Sequence, residues 1–581
     1  MSSAYDKYPY VLISSDARDC RAGWESIASL IRGVHARRER ATICVECYPG
    51  VYEDEIEPVF RSSLPQAEIV RTRDYFKPPA QIESMLARDV TEDPVFGRLT
   101  RLELVDFFRP EAIAQFKASS PPGQTRVLIG AGTVLLADTW DFLVYADLPR
   151  WEIQQRQRRG EISNLGLNNF DAPAAEKYKR AFFVDWRVAD HLKTQLLPKI
   201  DALLDTTKRG EPKMISGDLF RQALRKTTTR PFRVQPFFDP GPWGGQWMRA
   251  TCDLPDGPTN YAWCFDCVPE ENSLVFGFGN ERVEVPAIDL VLSHPRELLG
   301  DAVHARFGRE FPIRFDFLDT MQGGNLSLQV HPLTEYIQNE FGMHYTQDES
   351  YYLLDAAQNA CVYLGLKEDL DRDGMINDLR TAQAGGQHFP ADKYTNQWAA
   401  KRHDHFLIPA GTIHCSGRNS MVLEISATPY IFTFKLWDWG RLGLDGRPRP
   451  IHLEHGVSNI QWDRTTEWVR RELINRVQII GEGDGWREER TGLHDREFIE
   501  TRRHWFTKAV VHNTAGLVNV LNLVEGSEAI VESPAGKFDP FTVHFAETFI
   551  VPAAVGEYRI TPAVHTSKPF ATIKAFVRTN A

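Results

Sequence analysis

The stretch Asn325-Leu-Ser-Leu-Gln-Val-His-Pro332 decides how the chain is read. Its alternating apolar residues describe a strand, and positions two apart on a strand point to the same face. Gln329 and His331 therefore project together, one amide and one imidazole. Two more donors sit in strand-like settings: Glu349, just before Tyr351-Tyr-Leu-Leu354, and His414, which closes Phe406-Leu-Ile-Pro-Ala-Gly-Thr-Ile-His414. A lone histidine in a strand is more often a hydrogen-bonded core or surface residue than a ligand. Two imidazoles with a carboxylate and an amide oxygen nevertheless suit a borderline divalent ion such as zinc. They leave room for water or substrate oxygens, as a catalytic site requires.

The phrases around these residues strengthen that reading. Leu326-Ser-Leu-Gln-Val-His-Pro332, Glu349-Ser-Tyr-Tyr-Leu-Leu-Asp355 and Ile408-Pro-Ala-Gly-Thr-Ile-His414 resemble, in order and spacing, the three metal-bearing motifs of type I mannose-6-phosphate isomerases. The resemblance starts near Pro242-Trp-Gly-Gly245, runs through Trp437-Asp-Trp-Gly-Arg-Leu-Gly-Leu-Asp-Gly-Arg-Pro-Arg-Pro-Ile-His-Leu-Glu454, and covers residues 231–581. It implies all-β cupin (jelly-roll) barrels and one zinc ion per chain on Gln329, His331, Glu349 and His414. It also implies a small-molecule sugar or sugar phosphate as substrate, most simply mannose 6-phosphate converted to fructose 6-phosphate.

The chain departs from that family where acid, base and phosphate clamp are expected. A Lys of short bacterial members, two positions before the ligand Glu, is here Gln347, which cannot pair with a phosphate. The family's Arg before Tyr-Asp-Trp falls on Lys435, which keeps the charge but loses the bidentate fork. Lys435 is the candidate catalytic residue, for proton transfer or for anchoring an anion. Arg441, Arg447 and Arg449 are candidates for the missing phosphate contacts, and His344 or Glu335 for acid–base work, each equally readable as a surface or packing residue. Glu424 is placed to orient Lys435 or a ligand histidine.

Residues 1–210 read instead as an α/β domain. Tyr10-Val-Leu-Ile13, Ala41-Thr-Ile-Cys-Val45, Ala67-Glu-Ile-Val70, Arg126-Val-Leu-Ile129 and Phe142-Leu-Val-Tyr145 look like buried parallel strands, with helical stretches such as Trp24 to Ile31 between them. Val127 to Leu136, Asp141 to Arg150 and the basic run Arg156 to Arg159 loosely resemble the later strands and lid of P-loop nucleoside and nucleotide kinases. The phosphate loop itself is missing. After the first apolar run the chain reads Ser14-Ser-Asp-Ala-Arg-Asp-Cys-Arg-Ala-Gly-Trp24, without the glycine frame and Lys that close on phosphates. The expectation is a kinase-like domain that has lost ATP phosphate binding and serves as scaffold, assembly surface or effector sensor. Arg156, Arg158 and Arg159 read either as a phosphate contact or as a solvated helix face.

A junction follows at Thr206 to Lys213 and Arg225 to Pro231. From there the expected order is a metal-binding cupin domain over 231–450, a connecting segment with a helix over 451–505 and a second, metal-free cupin domain over 506–581. Tyr261 to Val268, Leu274 to Phe278, Cys361 to Leu364, His405 to Ile408, Met421 to Ile425 and Ile431 to Leu436 read as strands of the first barrel. The second segment has no Gln-x-His pair.

Composition bounds the function classes. A length of 581 residues calls for several domains, and 42% hydrophobic with 25% charged residues is ordinary globular chemistry. A net charge of −11 without a basic stripe argues against nucleic-acid binding. No signal-peptide layout and no apolar stretch of roughly 18 residues stands out, so a cytoplasmic protein without membrane attachment is expected. Eight cysteines read as free thiols of a reducing compartment. Cys44/Cys47 and Cys264/Cys267 read as core residues, because positions three apart on a strand face opposite ways. Asp369 to Arg380 opens like an EF-hand calcium loop but ends on Arg380 where a bidentate Glu is needed, and reads as an acidic surface turn. Two functions remain open: a zinc-dependent sugar-phosphate isomerase, and a non-catalytic or regulatory carbohydrate-binding protein on an isomerase scaffold. A bifunctional kinase–isomerase is held back by the missing phosphate loop.

Overall fold

The computed structural model describes residues 4–36, 40–118, 124–427, 430–444, 446, 449–492, 494, 496–564 and 568–579. The chain forms two compact units that are not consecutive in sequence. One comprises residues 10–227 and 269–294, the other residues 1–9, 228–268 and 295–581.

The first unit is built on a seven-stranded sheet. Five parallel strands form its centre in the spatial order Glu68–Arg71, Arg126–Gly130, Thr42–Cys47, Phe142–Asp147, Ala202–Asp205. Numbered along the chain, that order is 2-3-1-4-5. Lys213–Ser216 and Arg21–Ala22 extend the sheet antiparallel. The central strands are continuous apolar runs because helices such as Trp24–Ala36, Glu53–Ser63 and Trp186–Leu196 follow or precede them and both faces are covered. Four of the five expected strands lie in this sheet.

The fifth does not. Val11–Ser14 pairs in parallel with Ser273–Phe278, which pairs in turn with Glu281–Pro286. Both Tyr10 to Ile13 and Leu274 to Phe278 thus leave the sheets expected for them and make a separate three-stranded sheet of the first unit. A short apolar run announces a strand but not its partner, and Leu12 is exposed where a central strand would be buried. The first parallel strand is therefore Thr42–Cys47, and the loop to inspect for phosphate binding is Tyr48-Pro-Gly-Val-Tyr-Glu-Asp-Glu55, which also lacks G-x-x-x-x-G-K.

One buried ionic group ties residues 269–294 into this unit. Lys193, fully buried, donates to Asp147 at 2.8 Å and to Asp289 at 2.9 Å, and both carboxylates are equally inaccessible. Asp147 ends the fourth parallel strand and Asp289 lies on the helix Ile288–Ser293. Of the basic run, Arg158 and Arg159 are exposed, while Arg156 is structural. Arg156 is buried, donates to Gly50 O and Thr206 O and covers the Tyr52 ring, so it is not part of a solvated face.

In the second unit, two antiparallel sheets form the first barrel-like body. One has the order His405–Ile408, Glu349–Ala356, Ser420–Ser426, Arg314–Asp319, Trp263–Cys267, Phe237–Asp239. The other has the order Thr395–Ala399, Cys361–Leu366, His414–Ser416, Leu328–Val330, Phe434–Trp437. A second pair of sheets, six- and four-stranded, closes over a core that includes Leu521, Leu523, Val531, Phe549, Tyr558 and Ile560. Its six-stranded sheet begins before residue 506, with Gln478–Gly483, Trp486–Gly492 and Ile499–Phe506, so much of the expected connecting segment is sheet. The expected helix is there, at Thr466–Glu472.

All eight cysteines are free thiols, and the two C-x-x-C pairs lie in different units. The EF-hand-like stretch is a helix start, Arg372–Gln383, with Asp371 accepting from Gly374 N as its N-cap, so it is a cap rather than a turn. Among the described residues, no helix is long and apolar enough to cross a membrane.

Replacing Lys193 by Met leaves Asp147 and Asp289 buried without their cation. The expected loss is about 3–5 kcal/mol of unfolding free energy, measured by urea denaturation. A loss indistinguishable from zero would mean that the group does not hold residues 269–294 in place.

Candidate metal centre

The strand Leu328–Val330 organises the site. In register, Gln329 faces His414 on one neighbouring strand and Lys435 on the other, so these three side chains share one face of the sheet. His331 follows two positions after Gln329. Glu349 comes from the opposite sheet, as the first residue of Glu349–Ala356. All four expected ligands are buried, with His331 and His414 wholly inaccessible. Among the described residues, His331, Glu349 and His414 are the one group of three His, Cys, Asp or Glu side chains whose donor atoms all lie within 4.8 Å of one another.

Hydrogen bonds fix both imidazoles with the same nitrogen inward. His331 Nδ1 lies 2.9 Å from Phe432 O, and His414 Nδ1 lies 2.8 Å from Thr412 O. A carbonyl oxygen only accepts, so each Nδ1 carries the proton and, in a neutral ring, each Nε2 presents a lone pair. Those lone pairs face the Glu349 carboxylate at 3.1 Å and 2.8 Å. His331 Nε2 and Glu349 Oε1 are buried without any hydrogen bond. Lone pairs and a carboxylate at such distances repel unless positive charge lies among them. Burial alone would lower the His331 pKa, yet Glu349 outweighs it and holds it above the usual value. Burial would raise Glu349, yet His331 and His414 hold it well below the carboxylate range. The donor set therefore fits a divalent cation. The Gln329 amide lies 3.2 Å from His414 Nε2, within reach of the same point once its oxygen faces inward.

The turn Pro409-Ala-Gly-Thr412 delivers His414. Gly411 has φ +86°, and a Cβ there would lie 2.7 Å from Gln461 Cγ, so the position demands glycine. Ala410 N donates to Asp348 Oδ1 and Gly411 N to His331 O, which pins the turn to both other ligand segments. Buried Arg464 donates to Pro409 O, Ala410 O and Thr412 Oγ1. Arg464 and Asp348 were not singled out in the sequence. Only Asp348's place beside Glu349 hinted at a role.

Beside the centre, positive charge is in excess. Asp438 accepts from Arg441, from Arg449 at 2.7 Å and from Ser327 Oγ at 3.0 Å. Arg449 also donates to Ser327 Oγ, two positions before Gln329. Burial, then the field of Arg449, brings Lys435 down to about 8. Among the described residues, the Lys435 ammonium makes no hydrogen bond or ion pair. Arg447 lies outside the described residues. Gln347 donates to Glu349 Oε2 at 2.9 Å, and its own oxygen is buried without a partner. His344 and Glu335 are exposed, and His344 pairs with Glu310, so neither joins this group. Glu424 sits across from Tyr351. Burial, then Glu349 and Asp316, pushes it well above the usual carboxylate range, so its neighbours are carboxylates rather than Lys435.

Residues 23–229 match a family described as a domain of unknown function, DUF8485. Mannose-6-phosphate isomerase ManA of Bacillus subtilis is 26% identical over 256 residues, 43% of this chain and 74% of that protein. Mannose-6-phosphate isomerase of Streptococcus mutans is 28% identical over 217 residues, 37% of this chain and 63% of that protein, so the chain spans less than two thirds of this relative. The solved mannose 6-phosphate isomerase of Bacillus subtilis aligns with TM-score 0.49 and 17% identity, covering 59% of this chain and 99% of that one. A zinc-bound mannose 6-phosphate isomerase aligns with TM-score 0.44 and 14% identity, covering 60% of this chain and 99% of that one. Over part of its length the chain is homologous to mannose-6-phosphate isomerases.

Replacing His331 by Ala removes one of two inward lone pairs. Purified wild type is expected to carry zinc and the variant to have lost it, by elemental mass spectrometry after dialysis. Unchanged occupancy would sink the ligand assignment.

Proposed function

We propose that this protein is a zinc-dependent aldose–ketose isomerase acting on a sugar phosphate, with mannose 6-phosphate and fructose 6-phosphate as the pair. The observation that carries the proposal is the meeting of two inward imidazole lone pairs, a carboxylate and an amide beside a lysine brought down to about 8. In this reading the two facing sheets are a cupin barrel, the second sheet pair is a cupin without metal, and the first unit is a kinase-like domain without a phosphate loop. Gln329, His331, Glu349 and His414 hold the zinc ion.

Isomerisation moves one proton between adjacent carbons and another between their oxygens. Bound zinc would supply charge stabilisation at the sugar oxygens. The protein's own groups do the rest. The Nδ1 hydrogen bonds to Phe432 O and Thr412 O hold both imidazoles in one orientation, and Gln347 steadies the Glu349 carboxylate. Lys435, charged at neutral pH but close to its titration point, donates a proton to a sugar oxygen or holds an anion beside it. Lys435, Arg441 and Arg449 against Asp438 leave an excess of positive charge that suits the substrate phosphate.

A second reading rests on one residue. Gln347 stands where short bacterial relatives carry Lys, which favours a regulatory carbohydrate-binding protein that kept the metal centre but lost turnover.

Proton NMR of mannose 6-phosphate, and separately of mannose, with zinc-loaded full-length protein in heavy water separates the two. The enzyme reading expects ketose formation with deuterium entering at C2, lost on chelation. Silence with both sugars in protein that holds metal would favour the regulatory reading. Given turnover, Lys435→Met is expected to lower kcat by roughly 10²- to 10⁴-fold. Arg449→Ala is expected to raise KM roughly ten- to hundredfold, the worth of one charged hydrogen bond. A kcat unchanged in Lys435→Met would remove that residue from the chemistry.

A further inference from the structure

The first unit holds a cavity of about 760 Å³ that the isomerase reading does not use. It lies outside the carboxyl ends of the parallel strands, among the loops that leave Thr42–Cys47, Glu68–Arg71 and Arg126–Gly130, where open parallel sheets bind their ligands. Its size is that of a small-molecule site.

The lining differs from a polyphosphate cradle. Glu53, Asp54 and Glu55 fill the first turn of the helix Glu53–Ser63, where a phosphate would otherwise meet backbone amides. Glu53 points back over the sheet. A Cβ on Gly130 would lie 3.2 Å from its Oε1, and its Oε2 is buried with no hydrogen bond. Its nearest cation is Arg73 Nε at 3.9 Å. A shielded carboxylate oxygen without a donor is costly unless a ligand supplies one.

Cations gather on the other side. Arg73, Lys77 and Arg109 all border the cavity. Lys77 donates to Asp106 O, and Arg109 to Asp74 O and Phe76 O, all backbone carbonyls that leave the charge unneutralised. Among the described residues, neither Lys77 nor Arg109 pairs with a carboxylate, and Asp74 is the one acid beside them on this wall. The remaining lining charges are satisfied internally: Arg209 by Asp54 and Glu55, and Glu161 by Arg159 and Tyr52. Phe170 borders the same space with 42% of its surface exposed.

We propose that this cavity binds a small phosphate monoester carrying ring hydroxyls, its phosphate against Arg73, Lys77 and Arg109 and a hydroxyl donating to Glu53. A hexose phosphate and a nucleoside monophosphate share this chemistry. The site is separate from the metal centre, and its occupancy does not depend on turnover there.

The test is hydrogen–deuterium exchange by mass spectrometry on full-length protein, wild type and His331→Ala, with mannose 6-phosphate, adenosine monophosphate, mannose or inorganic phosphate. One of the two esters is expected to protect peptides spanning 48–54, 72–79 and 161–170 equally in wild type and His331→Ala, and which ester does so identifies the source. Arg73→Glu, at an exposed side chain, is expected to weaken that protection at least tenfold. Glu53→Gln is expected to weaken the ester while leaving any weak effect of inorganic phosphate unchanged. No protection by either ester at millimolar concentration, full protection in Arg73→Glu, or inorganic phosphate acting as well as the ester would each overturn the proposal.

Discussion

Two imidazole lone pairs and a carboxylate are forced together in a space that excludes water, and the second unit is arranged around resolving that repulsion. Glu349 comes from one sheet, Gln329 and His414 come from the other, and His331 follows directly on the strand that carries Gln329. The sheets can approach at this point only if a positive charge sits among the donors. Protons on the rings or one divalent ion would serve; both leave the outward Nδ1 hydrogen bonds intact, and with neutral rings those bonds aim both Nε2 lone pairs at the point an ion would occupy. The centre thus supports the barrel as well as any chemistry.

That arrangement needs a rigid frame, because misplacing a donor by an ångström loses it. The frame lies in backbone contacts as much as in the ligands. Gly411 N binds His331 O, Ala410 N binds Asp348 beside Glu349, and Arg464 binds the carbonyls of Pro409 and Ala410. The four-residue turn Pro409–Thr412 therefore touches the segments of His331 and Glu349 and leads into His414. Arg464 is buried in this role and brought down to about 10 by burial and then Arg496.

The sequence was most legible where local pattern and chemistry coincide. Period-two alternation put Gln329 and His331 on one face, and the motif wording found Glu349 and His414, all of which the structure brings together. Lys435 was legible only through its motif, while its register opposite Gln329 emerged from the sheet. Partner choice was not legible. Tyr10 to Ile13 and Leu274 to Phe278 are sound strands, but pairing them requires a contact across some 260 residues, which no local pattern encodes. The strands at 478–506 were missed for another reason: Gln478–Gly483 is almost wholly exposed, and Trp486–Gly492 and Ile499–Phe506 bury charged and polar side chains, so none shows the apolar alternation that announces a strand. Arg464 and Lys193 were invisible because a buried cation reads in sequence like any surface one.

Lys193 and Lys435 carry this last point into function. Both are lysines beside acidic neighbours, yet burial acts on them oppositely. Lys193 touches Asp147 and Asp289, and their fields outweigh the desolvation that would lower it, so its charge is locked. Lys435 has two arginines competing for its nearest carboxylate, Asp438, and burial with Arg449 prevails, so it sits near 8. The first arrangement suits a structural link and the second a group that must exchange a proton or accept an anion. What separates the two lysines is how the surrounding charges are already spent, and the same accounting marks Lys77 and Arg109, which border the same cavity as Glu53, as unspent.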